Sequence, residues 1–347
     1  MESWLPWASR PLLVSAPMYG HSNATLAVEA TKAAGLGFIP GGFDFRAESP
    51  QIKALEDELI LARSLLEKAG VAQDPLPVGV GFITCHPSAS NFVDTALPVL
   101  LKYRPTAVWL FAPDPDAPQR VHPKIIRHLH ASGIKVFIQV GTVAAAREAV
   151  SDGADVLVAQ GIDAGGHQFS KGASVISLVP EIRQMLDTEF PQGETGLLAA
   201  GGIIGARAVA AALALGADGA VLGTRLLVAQ ESSMSKAGKE SIIQASDGGA
   251  STVKSTVLDD IQSTAIWPQL YDGRALIGES YKDHEAGMPV KDNAEKFKEA
   301  ARGGDESRKI IWCGTGVGLV SEALPAGIII AETRKGAESV LKSLSQL

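Results

Sequence analysis

Short, uninterrupted apolar runs recur along the chain, and most are followed by a stretch in which apolar positions return with helical period. Eight runs stand at 12–16, 37–39, 77–82, 107–111, 136–140, 156–159, 197–200 and 219–222. Runs without polar alternation are what parallel strands covered on both faces require. Helical patterns fill the intervals, among them 23–34, 52–69, 123–131, 143–151, 178–187 and 206–215. Five of these patterns run into Gly35, Gly70, Gly133, Gly153 and Gly216, the expected left-handed helix ends. Eight regularly spaced strand–helix units predict an α/β fold, a (β/α)8 TIM barrel. A doubly wound open sheet is the rival, and the regular spacing favours closure.

Beyond Arg225 the pattern changes. Residues 231–310 are more polar and predict a mainly helical lobe inserted after the eighth strand, a cap over the substrate. Its apolar residues Trp267, Leu270, Tyr271, Leu276 and Ile277 suggest a face turned to the barrel mouth. Helical period returns in the tail, so residues 1–230 are expected to form the barrel and 311–347 to complete it. Composition agrees: 36 glycines and 5% aromatic residues suit close helix–sheet packing. A net charge of −7 without basic runs argues against a nucleic-acid partner. Two cysteines, Cys85 and Cys313, cannot make a disulfide framework and suggest a reducing compartment. The N-terminal stretch lacks the pattern of a signal peptide, and no apolar run is long enough to span a bilayer. A cytoplasmic protein without membrane contact is expected.

Candidate chemistry collects at the carboxyl ends of the strands, where such barrels bind ligands. After strand six, Gln160 leads into Ala164-Gly165-Gly166-His167. Gly165 and Gly166 lack a Cβ and let backbone lie close to a flat ligand, and His167 exchanges a proton near neutral pH. The turns after strands seven and eight, with Gly201-Gly202 and Gly223-Thr224, sit where these barrels recurrently bind phosphate. Glycine turns let backbone N–H groups converge on an anion, and Thr224 adds a hydroxyl. A ligand anchored there would pass Ala16, Pro17 and Met18 after strand one and Gly81 within 79–84 of strand three. It would also meet Gln139 on strand five and Gln160. That platform suits a planar phosphorylated cofactor, with the two glutamines offering amides to ring heteroatoms. Each glutamine could equally satisfy neighbouring backbone.

The stretches SAPMYGHSNATLAVEATKAAGLGFIPGG, QVGTVAAAREAVSDGADVLVAQGIDAGGH, LLAAGGI and GADGAVLGTRLLVAQES together resemble the nitronate monooxygenase family, formerly 2-nitropropane dioxygenases. The similarity covers about residues 11–232. It implies an FMN-containing barrel that oxidises alkyl nitronates with O2. By that resemblance the flavin phosphate would sit on Gly201, Gly202, Gly223 and Thr224, with the ring near Met18, Gln160 and Gly165. His167 matches the family's active-site histidine, a general base toward a nitroalkane carbon or an anchor for a preformed nitronate. The partners implied are a small molecule with an acidic C–H and O2, handled by a monomer or a homodimer.

The chain also departs from the family's pattern. Many relatives carry Asn where this chain has Gly81, so a polar flavin contact is missing or replaced by Thr84. Asp163 stands where Glu is common, and Gln168-Phe169-Ser170 follows His167, with Phe169 either narrowing the pocket or packing. Other candidates are weaker. Cys85 and His86 are adjacent in an extended segment and face opposite ways, so an inert buried Cys is expected rather than a nucleophile pair. His21 reads as a surface residue at a helix start, His128 and His130 as peripheral. Glu231 could cap a helix or pair with Arg225. No metal-ligand spacing is present. Competing functions are a flavin-dependent NAD(P)H enoyl reductase with a similar AGGH histidine, a biosynthetic tailoring flavoenzyme, and a flavin-binding barrel without turnover.

Overall fold

In most of the apolar runs alternate residues fall into two different cores, which is why those runs carry no polar alternation. In the computed structural model, which describes residues 2–264 and 266–346, Leu12, Val14, Val156 and Val158 join one buried cluster and Leu13, Leu157 and Ala159 another. The first fills the inside of a barrel, and the second lies between the strands and the helices around them. Met1, Ala265 and Leu347 fall outside the described residues, and with them the two outer ends of the expected domain spans.

The barrel strands are β1 (Leu12–Ser15), β2 (Leu36–Gly42), β3 (Leu76–Ile83), β4 (Pro105–Phe111), β5 (Lys135–Val140) and β6 (Val156–Gln160). After β7 (Gly166–Phe169), which stands apart, come β8 (Gly196–Ala200) and β9 (Gly219–Leu222). Strands β1–β6, β8 and β9 close into a parallel barrel, with Leu12 of β1 opposite Gly219 of β9. The surrounding helices are α1 (Ala24–Lys32), α2 (Pro50–Lys68), α3 (Phe92–Tyr103), α4 (His122–Ala131), α5 (Val143–Asp152), α6 (Val175–Glu189) and α7 (Ala206–Ala214). A short α8 (Thr224–Leu227) follows β9. Gly70, Gly133, Gly153 and Gly216 take the left-handed conformation expected of them. At the first helix Ala34 does so instead, with φ of 60°, and Gly35 does not.

Trp4, Leu5 and Trp7 pack into the inner cluster, with the Trp4 ring edge-on to Phe137 at 6.0 Å and near Lys135 at the start of β5. The N-terminal segment thus plugs the amino end of the barrel and leaves the carboxyl end as the mouth.

Over the mouth lies the segment after β9: α9 (Lys236–Gln244), α10 (Gly248–Ser251), β10 (Thr252–Ser255), α11 (Val257–Gln262), β11 (Tyr271–Leu276), α12 (Glu279–Glu285) and α13 (Val290–Gly303). It carries two strands that the sequence pattern did not reveal. They form an antiparallel sheet with β7 in the order β10-β11-β7, placing Gly273 opposite His167. β11 alternates buried and half-buried residues, the period of a one-faced strand, but within a polar stretch that signal is faint. Lys254 fastens the sheet to the barrel loop: its Nζ donates to the carbonyls of Phe169 and Ser170 at 2.8 and 2.6 Å and pairs with Asp272 at 3.0 Å.

The tail closes the ring as α14 (Ala326–Leu344), packed against α1 and α7. Its buried Arg334 donates to the carbonyls of Pro11, Ala33 and Ala34. Glu231 is not paired with Arg225, whose Nη1 donates to the Glu322 carbonyl. Glu231 caps instead, accepting from the first N–H of α14 at Ala326 with Oε2 at 2.9 Å. Glu231→Ala is therefore expected to lower stability by about 1 kcal/mol. A denaturant midpoint that falls while its slope holds is the check, and Glu231→Gln, which keeps an acceptor, should lose less.

Candidate functional site

The carboxyl ends of the barrel strands open into one cavity of about 880 Å³, roofed by the segment over the mouth. Ala16, Pro17, Met18, Gly81, Gln139, Gln160, Gly165, Gly166, Gly201, Gly202, Gly223 and Thr224 all line it, and so does His167. The size is within the range of ordinary cofactor and ligand pockets.

One side of the cavity is made of backbone. Gly201 and Gly202 hold φ of 104° and 69°, a tight left-handed turn directly after β8. Among the described residues the N–H groups of Gly202, Ile203, Gly223 and Thr224 find no acceptor. Thr224 Oγ1 accepts from Gly314 N at 2.9 Å, so its own proton remains free to donate. Unpaired donors gathered along one wall are the arrangement an anion such as a phosphate requires.

The two glutamines are tied to each other. Trp109 Nε1 donates to Gln139 Oε1 at 3.1 Å, Gln139 Nε2 to Gln160 Oε1 at 2.6 Å, and Gln160 Nε2 to the His167 carbonyl at 3.2 Å. Each amide thus satisfies a neighbour first, and each nitrogen still has a second hydrogen to offer. The chain of amides also fixes the carbonyl of His167.

The surroundings of three glycines constrain them in different ways. A Cβ on Gly165 would lie 2.3–2.4 Å from the backbone of Cys313 and Gly314, so its bare face meets a strap of the returning chain and not open cavity. Gly166 is needed for its conformation, with φ of 70°. At Gly81 a Cβ would lie 2.4 Å from the Pro17 ring, which leaves no room for the expected Asn or any other side chain. Thr84 does not stand in for it: its hydroxyl donates to the Phe111 carbonyl at 2.9 Å and meets His122 Nε2 at 2.8 Å, buried away from the cavity.

His167 stands on the wall of the cavity. Strand β7 carries it, and Asp259 of α11 faces its Nε2 with both carboxylate oxygens, at 2.9 and 3.0 Å. Trp267 stacks on the imidazole at 3.7 Å and 8°, and Trp312 leans on it at 4.7 Å. Nothing in the sequence around VLDDIQ marked Asp259, which reads as one more acid on a polar helix. Trp267 was expected at the mouth, without its partner.

The weaker candidates sort plainly. Cys85 is buried in the inner core, and burial pushes its thiol up to about 12, so it is inert at neutral pH. His86 turns away and bonds Ser88. His21 is not a surface residue: it lines the cavity with Nδ1 buried and without a partner among the described residues, and burial lowers its pKa. The pattern missed this because the cover comes from the distant roof. Phe169 packs edge-on against Tyr271 at 5.2 Å and does not line the cavity. His130 meets Asp155 at 2.9 Å on the periphery, and His128 bonds its own helix. Among the described residues no His, Cys, Asp and Glu gather in a metal-binding group, and no helix is long and apolar enough to cross a membrane.

A family profile described as nitronate monooxygenase matches residues 7–335. The chain is 49% identical to the nitronate monooxygenase of Neurospora crassa over 99% of its own length and 93% of that protein's. It is 36% identical to a nitronate monooxygenase of Metarhizium robertsii over 98% and 94%. Among solved structures, FabK of Thermotoga maritima superposes with a TM-score of 0.76 at 24% identity, covering 99% of this chain and 97% of that one. A nitroalkane oxidase of Streptomyces ansochromogenes gives 0.76 at 23%, covering 98% and 99%. At those identities the structural likeness is one of fold.

Proposed function

The chain belongs to the nitronate monooxygenase family, and on that footing we propose that its flavin is FMN, held across the barrel mouth with the phosphate at Gly201-Gly202 and Gly223-Thr224. It is an oxidoreductase that turns alkyl nitronates and O2 into a carbonyl product and nitrite. One observation carries the cofactor reading: the unpaired N–H donors of the two glycine turns and the imidazole of His167 line the same cavity. The donors and the free hydroxyl of Thr224 suit a phosphate dianion, whereas Met18, Gly81, Gln139, Gln160, Gly165 and Gly166 bound the space for a ring. Ala16 and Pro17 form its edge, with Pro17 seated in the gap left by Gly81.

The flavin, when bound, supplies the electron and oxygen chemistry. The protein's own residues position the substrate, exclude water and move one proton. His167 takes the proton from the carbon next to a nitro group, or holds the anionic nitronate when the substrate arrives already ionised. Residues 231–310 act as the cap over a barrel formed by 1–230 and 311–347. Every group named comes from one chain, so a monomer or a homodimer serves the chemistry equally. Two buried free thiols support residence in the cytoplasm.

The test is to identify the flavin released by denaturation, then mix the loaded protein anaerobically with propionate 3-nitronate and follow its absorbance. FMN on release, loss of the oxidised-flavin bands on mixing, and their return with nitrite on adding O2 are expected. An unchanged spectrum with nitronate, together with rapid bleaching by NADPH, would replace this reading with an enoyl-reductase type of activity.

A further inference from the structure

We propose that Asp259 is the positioning residue for His167: it fixes the imidazole with its proton on Nε2 and leaves Nδ1 as the atom that takes the substrate's proton. The inference deepens the function proposed above and rests on His167 acting there as a base.

The contact spans 92 positions of sequence and is secluded, with side-chain exposures of 14% for His167 and 8% for Asp259. An ionised carboxylate can only accept, so with both oxygens within 3.0 Å of Nε2 the hydrogen between them belongs to the imidazole. The carboxylate is itself held: Thr264 Oγ1 donates to Oδ1 at 3.1 Å, and Thr264 N donates to the Asp259 carbonyl at 3.0 Å. The stacked Trp267 and the tilted Trp312 confine the ring, so turning it over to exchange its nitrogens would displace an indole. His167, Trp267 and Trp312 line the cavity and Asp259 does not. Asp259 therefore stands behind the ring, and Nδ1 has no partner among the described residues.

The C–H bond next to the nitro group breaks, the hydrogen forms an N–H bond at Nδ1, and the electron pair passes to the nitro oxygens as the nitronate. The imidazolium that results keeps its other N–H against the Asp259 carboxylate. Charged residues of β10 and β11 stand in the sheet that carries His167, and Asp305, Glu306, Arg308 and Lys309 line the same cavity. Lys254 and Asp272 neutralise one another, and Arg274 bonds the Ile162 carbonyl and Thr252.

A direct test is nitrogen NMR of protein labelled with 15N-histidine, at alkaline pH where imidazoles are neutral, using His167→Asn to assign the signals. Wild type should show His167 protonated on Nε2, and Asp259→Ala should turn this into a mixture or the opposite tautomer. A wild-type ring protonated on Nδ1, or a tautomer that Asp259→Ala leaves unchanged, would overturn the proposal. These spectra need no substrate, so they stand even if nitronate oxidation itself fails its own test. In turnover, Asp259→Asn should lower kcat/KM on neutral nitroalkanes by roughly 100-fold and act less on preformed nitronates. Equal losses on both would contradict the proposal. Thr264→Val, which leaves Asp259 and His167 in place, should produce the same asymmetry at smaller size. It keeps the idea testable if the Asp259 variants fold poorly.

Discussion

Replacing His167 by Asn is expected to lower turnover of neutral nitroalkanes by roughly 10²–10⁴-fold, the range that a positioned general base contributes. Asn fits the space but cannot take a proton, and its amide, standing near the place of Nδ1, falls short of the Asp259 carboxylate that meets Nε2. A nitronate supplied already ionised skips the proton transfer, so its loss should be far smaller, within about tenfold when only a positioning contact is gone. The comparison is made by O2 consumption on one nitroalkane and on its own nitronate, each normalised to bound flavin. Equal losses on the two would leave His167 an anion anchor and end the base assignment.

The second large effect concerns folding. Gly165→Ala places a methyl group 2.3–2.4 Å from the carbonyl carbon and Cα of Cys313 and the nitrogen of Gly314. Those atoms are backbone, and they are held: Gly314 N donates to Thr224, and Thr315 N donates to the Asp163 carbonyl at 3.0 Å. The strap cannot retreat without breaking both contacts, so a loss of about 3 kcal/mol or more is expected, at the upper end for overpacking. Flavin retention should fall with it, because the same strap anchors Thr224. Gly166→Ala is the control next door. It has nothing within 4 Å and meets only the strain of its φ of 70°, about 1–2 kcal/mol. Denaturant midpoints of the two variants decide the matter, and similar costs would mean that the strap yields.

The barrel was legible because its strands are apolar on both faces, and continuous runs such as 156–159 have few other uses. The glycine turns were legible because their order along the chain places them at adjacent strand ends. Other features are products of distant pairing. β7 is four residues long and becomes a strand only when β11 comes back to it about a hundred residues later. Asp259 has the sequence context of a solvated helix acid, with Asp260 beside it, and its seclusion exists only once α11 lies over the mouth. His21 misled for the same reason. The Gly165 close approach was hidden too, since a glycine that admits a ligand and one that admits backbone look identical in sequence. Trp267 was foreseen at the mouth because a large aromatic in a polar stretch has to cover something.

The sheet β10-β11-β7 also bears on how such an enzyme can change. Its third strand belongs to the barrel loop and carries the histidine, whereas the other two belong to the roof. Exchanging the roof between relatives would replace part of the pocket wall and the partner of His167 together. Pocket shape and the setting of His167 are therefore inherited as a unit in this architecture, and a graft chosen for pocket shape alone would bring a different partner for the imidazole with it.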